Sequence, residues 1–300
     1  MPKTSSWIKN VPELELSGDK VFCKACAKIK LYLPSPIIAA NETIEKAKNV
    51  VDEISTGGLT NMIGGLETAL YLVKVGQNNQ ADKKHQPIII FLTDGEPNVG
   101  ISSTEEIVRI VTRLNSNGNN VPIYSLSFGY GANKEFLRKL SLKNQGFSRH
   151  IYEASDASLQ LQEFYKQISS PLLSNIKFKY NSEVKDVTKS SFPILFRGSE
   201  LVSLDSNSPF EVATNCWAAP GPKKLTSRIE RPVSSLERLW AYLTVKQTLE
   251  ERDLADNKSE LTKKALDLAL KYSFVTDITS LVVVKPNDTR AVDTEEAATG

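Results

Sequence analysis

The fold class follows from one segment, Pro87-Ile88-Ile89-Ile90-Phe91-Leu92-Thr93-Asp94-Gly95. Its five consecutive apolar residues, bounded by Pro and by Asp-Gly, are typical of a strand that is buried on both faces. Around this segment the chain alternates helices and strands. We predict helices over 63–75, 104–115, 134–142 and 158–169, and strands over 121–128 and 149–152. Such alternation is typical of a parallel sheet with right-handed crossovers, so the sequence predicts an α/β fold.

A different pattern begins close to Pro171. Apolar and polar residues alternate in short runs, which predicts an antiparallel β module with one exposed face. The alternating runs lie at 176–180, 192–196, 201–204 and 210–213. Two amphipathic helices follow at 235–252 and 260–272, and a closing strand lies at 280–285. On the first of these helices, we interpret one apolar stripe as core packing rather than as a cofactor site. The stripe consists of Leu236, Leu239, Trp240 and Leu243.

Composition and charge exclude several classes of protein. The chain has 300 residues, of which 40% are hydrophobic and 24% are charged, and its formal net charge is +2. This composition supports a folded core, and the nearly neutral charge gives no electrostatic reason to expect nucleic acid as a partner. No apolar run is long enough to span a membrane, and the first residues lack the pattern of a secretory signal. The three cysteines cannot form a disulfide framework.

Two residues are candidate metal ligands. Asp94 follows the apolar strand, and ligands of open α/β sheets bind outside the carboxyl ends of the strands. Thr60, in the loop Gly57-Gly58-Leu59-Thr60-Asn61 ahead of a helix, supplies a second oxygen. Carboxylate and hydroxyl oxygens suit a hard cation such as Mg²⁺. The alternative from spacing alone is that Asp94-Gly95 forms only a turn and that Thr60 only caps a helix.

Several motifs resemble a known family. The loop 57–61 and the segment 88–97 look like the middle of a von Willebrand factor type A domain. Further motifs resemble one branch of that family, the inter-alpha-trypsin inhibitor heavy chains, and lie at 127–131, 149–153, 159–165, 196–200, 237–243 and 272–276. The resemblance covers residues 31–286. It implies an α/β fold with an incomplete doubly wound parallel sheet, followed by a β-rich module with two helices.

The resemblance also implies an incomplete metal-ion-dependent adhesion site. The family builds this site from an Asp-x-Ser-x-Ser loop, a threonine and an aspartate. The threonine matches Thr60 and the aspartate matches Asp94, but no Asp-x-Ser-x-Ser pattern precedes Thr60. With these two ligands alone, we expect Mg²⁺ binding to be weak or absent. The family's first strand, which lies beside residues 88–92, is also missing, so we expect an unpaired strand edge there.

Residues 1–30 are unlike the family. We divide the chain into an unrelated, poorly ordered leader at 1–30, a partial type A domain at 31–171, a β-rich and two-helix module at 172–286 and a disordered tail at 287–300. Cys23 and Cys26 form one C-x₂-C motif, but a structural zinc site needs two further ligands. Zinc binding, a redox pair and pairing of the leader with the open sheet edge stay as alternatives for this segment.

No motif indicates catalysis. His85 lies in a charged loop and His150 beside a strand, and neither accompanies a nucleophile motif. Gly57-Gly58 and Gly64-Gly65 are not followed by the Lys-Ser/Thr of a phosphate-binding loop. Together with this absence, the family resemblance implies a non-enzymatic adhesion or interaction protein. The alternatives are a truncated, non-functional splice or gene-model product that folds only partly, and a metal-dependent hydrolase.

The resemblance further implies partners and a location. It implies a role in hyaluronan metabolism, association with Kunitz-type serine protease inhibitors, and protein or glycosaminoglycan partners in the extracellular matrix. The family's covalent link to chondroitin sulfate uses an Asp-Pro-His motif, which this sequence lacks. Asn41, Asn257 and Asn287 begin N-glycosylation sequons, which matter only for a chain in the secretory route. The family is secreted, whereas this sequence shows no signal, so the two indications of location conflict.

Overall fold

The chain divides into two compact units between Lys166 and Gln167. A computed structural model of the chain describes residues 14–17, 20–23, 41–52, 60–78, 86–118, 120–152, 156–180, 186–204, 212–218, 221–227 and 236–280. None of the helices within these residues is long and apolar enough to cross a membrane. The predicted closing strand at 280–285 and the predicted tail at 287–300 lie outside the described residues, apart from Ser280.

The first unit combines a short β hairpin with alternating helices and strands. Its described elements are, in order, β1 (Leu14–Ser17), β2 (Lys20–Cys23), α1 (Asn41–Asp52), α2 (Met62–Asn78), β3 (Ile89–Thr93), α3 (Thr104–Ser116), β4 (Ile123–Phe128), α4 (Lys134–Lys143), β5 (Ser148–Ile151) and α5 (Ala157–Ile168), of which the last two residues fall in the second unit. Helices α3 and α4 begin where the sequence provides a polar cap. Ser103 Oγ accepts the N–H of Glu106, and Asn133 Oδ1 accepts the N–H of Phe136.

The sheet of the first unit is parallel, with the strand order β3-β4-β5. The register places Ile89 beside Ile123, and both residues face a core formed with α2, α3 and α4. Leu66, Val111 and Leu137 contribute one fully buried side chain from each of these helices. The predicted α/β fold with a parallel sheet is therefore confirmed.

Strand β3 differs from the expectation in one respect, because it is buried on only one face. Ile89 is 6% exposed, whereas Ile90 is 47% and Leu92 is 56% exposed. The helices α2, α3 and α4 cover the face of Ile89. On the opposite face, aromatic packing between Tyr124, Phe147 and Phe164 covers β4 rather than β3. Within the described residues β3 pairs with β4 alone, so its other edge has no described partner.

A buried pair of amides joins the helices to the start of β4. Asn115 is 4% and Asn144 is 2% exposed. Asn115 Nδ2 donates to the carbonyl oxygen of Val121 and to Asn144 Oδ1, both at 2.8 Å, and Asn115 Oδ1 accepts the N–H of Val121 at 2.8 Å. Asn144 Nδ2 donates in turn to the carbonyl oxygen of Leu140 at 2.8 Å. These buried polar groups are thus hydrogen-bonded, as a stable core requires.

The second unit contains an antiparallel sheet with the strand order β7-β6-β8-β9. Its strands are β6 (Pro171–Tyr180), β7 (Ser191–Phe196), β8 (Val212–Ala218) and β9 (Gly221–Ser227). The strand predicted at 201–204 is not formed. Instead, Leu204 bonds with Thr188 through its N–H to Thr188 Oγ1 and through its carbonyl oxygen to the Thr188 N–H. Strand β9 was not predicted, since its Gly-Pro-Lys-Lys start lacks alternation.

Two helices, α6 (Leu236–Leu254) and α7 (Ser259–Lys271), follow the antiparallel sheet. They pack through Val245 and Leu249 of α6 and Ala265 and Ala269 of α7. The prediction that the apolar stripe of α6 packs in the core is wrong, because two of its residues are exposed, Leu236 at 40% and Leu239 at 41%. Trp240 is half-buried, and its Nε1 donates to the carbonyl oxygen of Asp186 at 2.7 Å.

Candidate functional site

Thr60 lies at the carboxyl edge of the parallel sheet, fixed to the loop that follows β3. Its N–H donates to Asn98 Oδ1 at 2.6 Å. Its carbonyl oxygen accepts the N–H groups of Asn98 and Val99, at 3.1 and 3.3 Å. These three hydrogen bonds hold the loop of Thr60 against the loop of Asp94.

Asp94 is the first residue after β3, and its side chain is exposed. The turn is held by Thr93, whose Oγ1 donates to the carbonyl oxygen of Gly95 and accepts its N–H. A third loop approaches from β4, because a Cβ added to Gly131 would lie 2.9 Å from the carbonyl oxygen of Asp94. We call residues 60–61, 94–100 and 129–133 together the loop rim.

The loop rim brings a threonine and an aspartate to one edge of the sheet, as both motif and topology predict. Metal binding by these two residues depends on how many oxygen ligands the site supplies. Mg²⁺ takes six oxygen ligands in octahedral geometry and exchanges its water reluctantly. Within the described residues no group of three or more His, Cys, Asp or Glu side chains could hold a metal ion. One hydroxyl and one carboxylate do not fit a tightly held cation, since they leave most of its coordination shell to water.

His150 lies on β5, beside the end of β4. Its Nδ1 is 2.9 Å from Ser127 Oγ, and its ring packs edge-on against Tyr152 with centroids 4.5 Å apart. Desolvation and the charge of Lys134 lower the pKa of His150, while a hydrogen bond with the backbone of Ser127 opposes this shift. Lys134 Nζ itself lies 5.5 Å from the centroid of the Tyr152 ring. The contacts of His150 are thus those of a residue that packs on the surface of the sheet.

The other predicted sites are exposed or lie outside the described residues. Asn41 is exposed at the first residue of α1. Asn257 is exposed ahead of α7, and its Oδ1 accepts the N–H of Ser259 at 3.2 Å. Asn287, Cys26 and His85 lie outside the described residues, while the backbone of Cys23 belongs to β2.

Sequence reasoning missed the residues that assemble the loop rim. Asn98 joins two loops through both its side chain and its backbone, and Gly131 permits the close approach of a third. Asn133 adds a contact between the last two loops, since its Nδ2 donates to Glu96 Oε1 at 3.4 Å. The sequence offers only a compositional signal for these residues, the presence of Asn and Gly. That signal is not specific, because Asn and Gly are common in loops of any function.

Comparisons with known proteins agree with this geometry. Residues 32–167 match the von Willebrand factor type A domain. The chain is also similar in structure to a von Willebrand factor type A protein from Catenulispora acidiphila, with a TM-score of 0.55, 13% identity and coverage of 93% of this chain and 76% of that one. At this identity the likeness concerns the fold alone. The fold and the loop rim thus define a protein with a von Willebrand factor type A domain.

Sequence similarity defines the branch of the family. The chain is 37% identical over 273 residues to inter-alpha-trypsin inhibitor heavy chain H3 of Homo sapiens, which covers 83% of this chain and 30% of that protein. It is 35% identical over 279 residues to heavy chain H4 of Homo sapiens, which covers 86% of this chain and 30% of that protein. The chain belongs to the inter-alpha-trypsin inhibitor heavy chain family. It spans about a third of the length of these curated relatives.

Proposed function

We propose that this chain is a non-enzymatic interaction protein of the extracellular matrix, with protein or glycosaminoglycan partners. The observation that carries the proposal is its 37% identity over 273 residues to inter-alpha-trypsin inhibitor heavy chain H3. The loop rim supports it, because three loops on a rigid sheet edge form a surface on which binding residues are commonly placed. The finer proposal, implied by the family resemblance, is a part in hyaluronan metabolism and association with serine protease inhibitors.

The site residues are proposed in the same way. Thr60 and Asp94 are a residual cation site that binds Mg²⁺ weakly or not at all, because two protein oxygens leave most of the coordination shell to water. Asn41 and Asn257 are exposed and accessible to glycosylation in a secreted chain. Among the described residues around the loop rim, neither Asp94 nor Thr60 is paired with a histidine base, which favours binding over hydrolysis.

A binding panel tests the proposal. The whole chain is passed over surfaces coated with hyaluronan, chondroitin sulfate, collagen or a Kunitz-type inhibitor, with albumin as the control coat. We expect saturable binding to at least one matrix coat that persists in the presence of EDTA. Absence of saturable binding to all four coats, by a chain that elutes as a monomer and melts cooperatively, would contradict the proposal.

Two outcomes would favour the alternatives instead. A chain that aggregates and melts without a cooperative transition would indicate a partly folded product. Turnover of an ester or peptide substrate that needs a divalent cation and is lost in Asp94→Ala would indicate a hydrolase.

A further inference from the structure

The antiparallel sheet of the second unit carries positive charge without any acidic residue. Strands β6 and β9 contain two lysines each, Lys177, Lys179, Lys223 and Lys224, and none of the four strands contains Asp or Glu. The whole chain has a net charge of only +2, so this is a local concentration of positive charge. Such a surface attracts anionic ligands.

Three of the strands align a polar row across one face of the sheet. The register pairs Lys177 with Asn215 and Asn215 with Lys224. Adjacent strands are about 4.8 Å apart, so the Cα atoms of the two lysines are separated by about 10 Å. Trp217 follows two positions after Asn215 on β8 and therefore shares this face, with 53% of its surface exposed. A flat apolar ring thus lies beside an amide and two ammonium groups.

These residues line a shallow cleft of about 360 Å³, a volume in the range of ligand sites. The polar and aromatic side chains of its lining are Asn175, Lys177, Asn215, Trp217, Lys223 and Lys224. None of the three lysines forms an ion pair within the part of the chain that the structure describes. Their ammonium groups are exposed and available to a ligand.

We propose that this cleft binds an acidic oligosaccharide. The ammonium groups of Lys177 and Lys224 pair with successive carboxylate or sulfate groups, and the amide of Asn215 bonds to hydroxyl groups between them. The indole of Trp217 packs against the apolar face of a sugar ring. A peptide would instead add to a sheet edge through its backbone, whereas the cleft lies across a sheet face and presents side chains. This inference rests on the proposed function and names the class of partner.

The test uses oligosaccharides of equal length from hyaluronan, chondroitin sulfate and heparin, with poly-glutamate as a polyanion that has no sugar ring. Binding to the whole chain is measured by calorimetry and by tryptophan fluorescence. We expect binding of at least one oligosaccharide with a change in fluorescence, since Trp217 contacts the ligand. Hyaluronan carries carboxylates but no sulfates. Comparing its binding with that of the two sulfated oligosaccharides therefore shows which anionic group the cleft recognises.

Variants assign the binding to the cleft. Loss of one charge-assisted contact in Lys177→Ala or Lys224→Ala weakens binding about tenfold. Trp217→Ala weakens it about fivefold and removes the fluorescence change, whereas Trp217→Phe keeps a ring and most of the affinity. The matched control for Lys223→Ala/Lys224→Ala is Lys263→Ala/Lys264→Ala, which removes two adjacent exposed lysines of α7 in the same unit and leaves affinity unchanged.

Three results would overturn the proposal. They are the absence of binding to all oligosaccharides, equal binding of poly-glutamate, and equal losses in the cleft and control double variants. If no oligosaccharide binds while a protein coat of the matrix panel does, the cleft assignment fails and the proposed function stands. Circular dichroism of each variant verifies that the sheet is folded.

Discussion

Replacing Asn115 by Ala tests the packing of the first unit at a buried amide that forms three side-chain hydrogen bonds. The substitution removes three hydrogen bonds, two to the backbone of Val121 and one to Asn144 Oδ1. Neutral hydrogen bonds contribute about 1 kcal/mol each on balance, and a buried group left unpaired costs about 1–3 kcal/mol. Since Asn115 is 4% exposed, water does not replace the lost partners. We therefore expect the free energy of unfolding to fall by about 4 kcal/mol.

Chemical and thermal unfolding followed by circular dichroism measure this loss. For a unit of this size, about 4 kcal/mol corresponds to a melting temperature that is lower by roughly 8–16 °C. Asn117→Ala is the matched control, because Asn117 is an exposed amide in the same helix end and its removal leaves the melting temperature nearly unchanged.

A second variant separates the donor from the acceptor. Asn115→Asp keeps Oδ1 for the Val121 N–H but places a carboxylate oxygen against the Val121 carbonyl and Asn144 Oδ1. At neutral pH, Asn115→Asp should lower the free energy of unfolding at least as much as Asn115→Ala does. A loss below about 1 kcal/mol in both variants would refute the view that these amides hold α3, α4 and β4 together.

The loop rim and two titrating side chains give further predictions. Gly131→Ala should lower stability by about 1–3 kcal/mol in thermal melts, since its Cβ would lie 2.9 Å from the Asp94 carbonyl oxygen. Gly95→Ala meets no atom within 4 Å and should be nearly neutral, and equal effects would disprove the loop contact. The pKa of His150 is lowered by burial and by a nearby lysine, so the unfolded chain binds more protons and stability falls as the pH drops below 6.5. His150→Gln should make the melting temperature less dependent on pH in that range. The same change of melting temperature with pH in both proteins would contradict this. Burial raises the pKa of Tyr124 to about 12, so ionisation opposes folding above pH 10, and Tyr124→Phe should retain more stability in alkali than the wild type.

The alternation of elements in the first unit could be predicted because each helix carries a local signal. Helices α3 and α4 combine an apolar stripe with a capping residue, Ser103 or Asn133, and both lie within two residues of their predicted bounds. The burial of β3 could not be predicted from its residues alone. Ile90 and Leu92 are as apolar as Ile89, and only the placement of the helices decides which face is covered.

The second unit shows the same limit. On α6 the residues Leu236 and Leu239 belong to an apolar stripe, yet the helix packs on Ala265 and Ala269 of α7 through Val245 and Leu249. Small side chains permit close packing of two helices, whereas the periodicity of the sequence predicts that the larger apolar side chains are the buried ones. Strand β9 has exposed lysines and a Gly-Pro start, so it joins the sheet through backbone hydrogen bonds that hydrophobic patterning does not report.

For the candidate site, the sequence predicts the residue types but not their assembly. Thr60 and Asp94 were identified from motifs, and topology places both at the carboxyl edge of the sheet. The bonds of Asn98 that join their loops depend on the tertiary structure of residues 38 positions apart. Hydrogen bonds between distant loops leave no periodic signal in the sequence, which is why the loop rim had to be found in three dimensions.

Titration of the whole chain with Mg²⁺ by calorimetry, beside Asp94→Ala, tests the central claim that Thr60 and Asp94 alone do not form a competent cation site. We expect no saturable heat corresponding to a Kd tighter than about 0.1 mM, and identical traces for the two proteins. Saturable, tight binding of one Mg²⁺ that disappears in Asp94→Ala would contradict it.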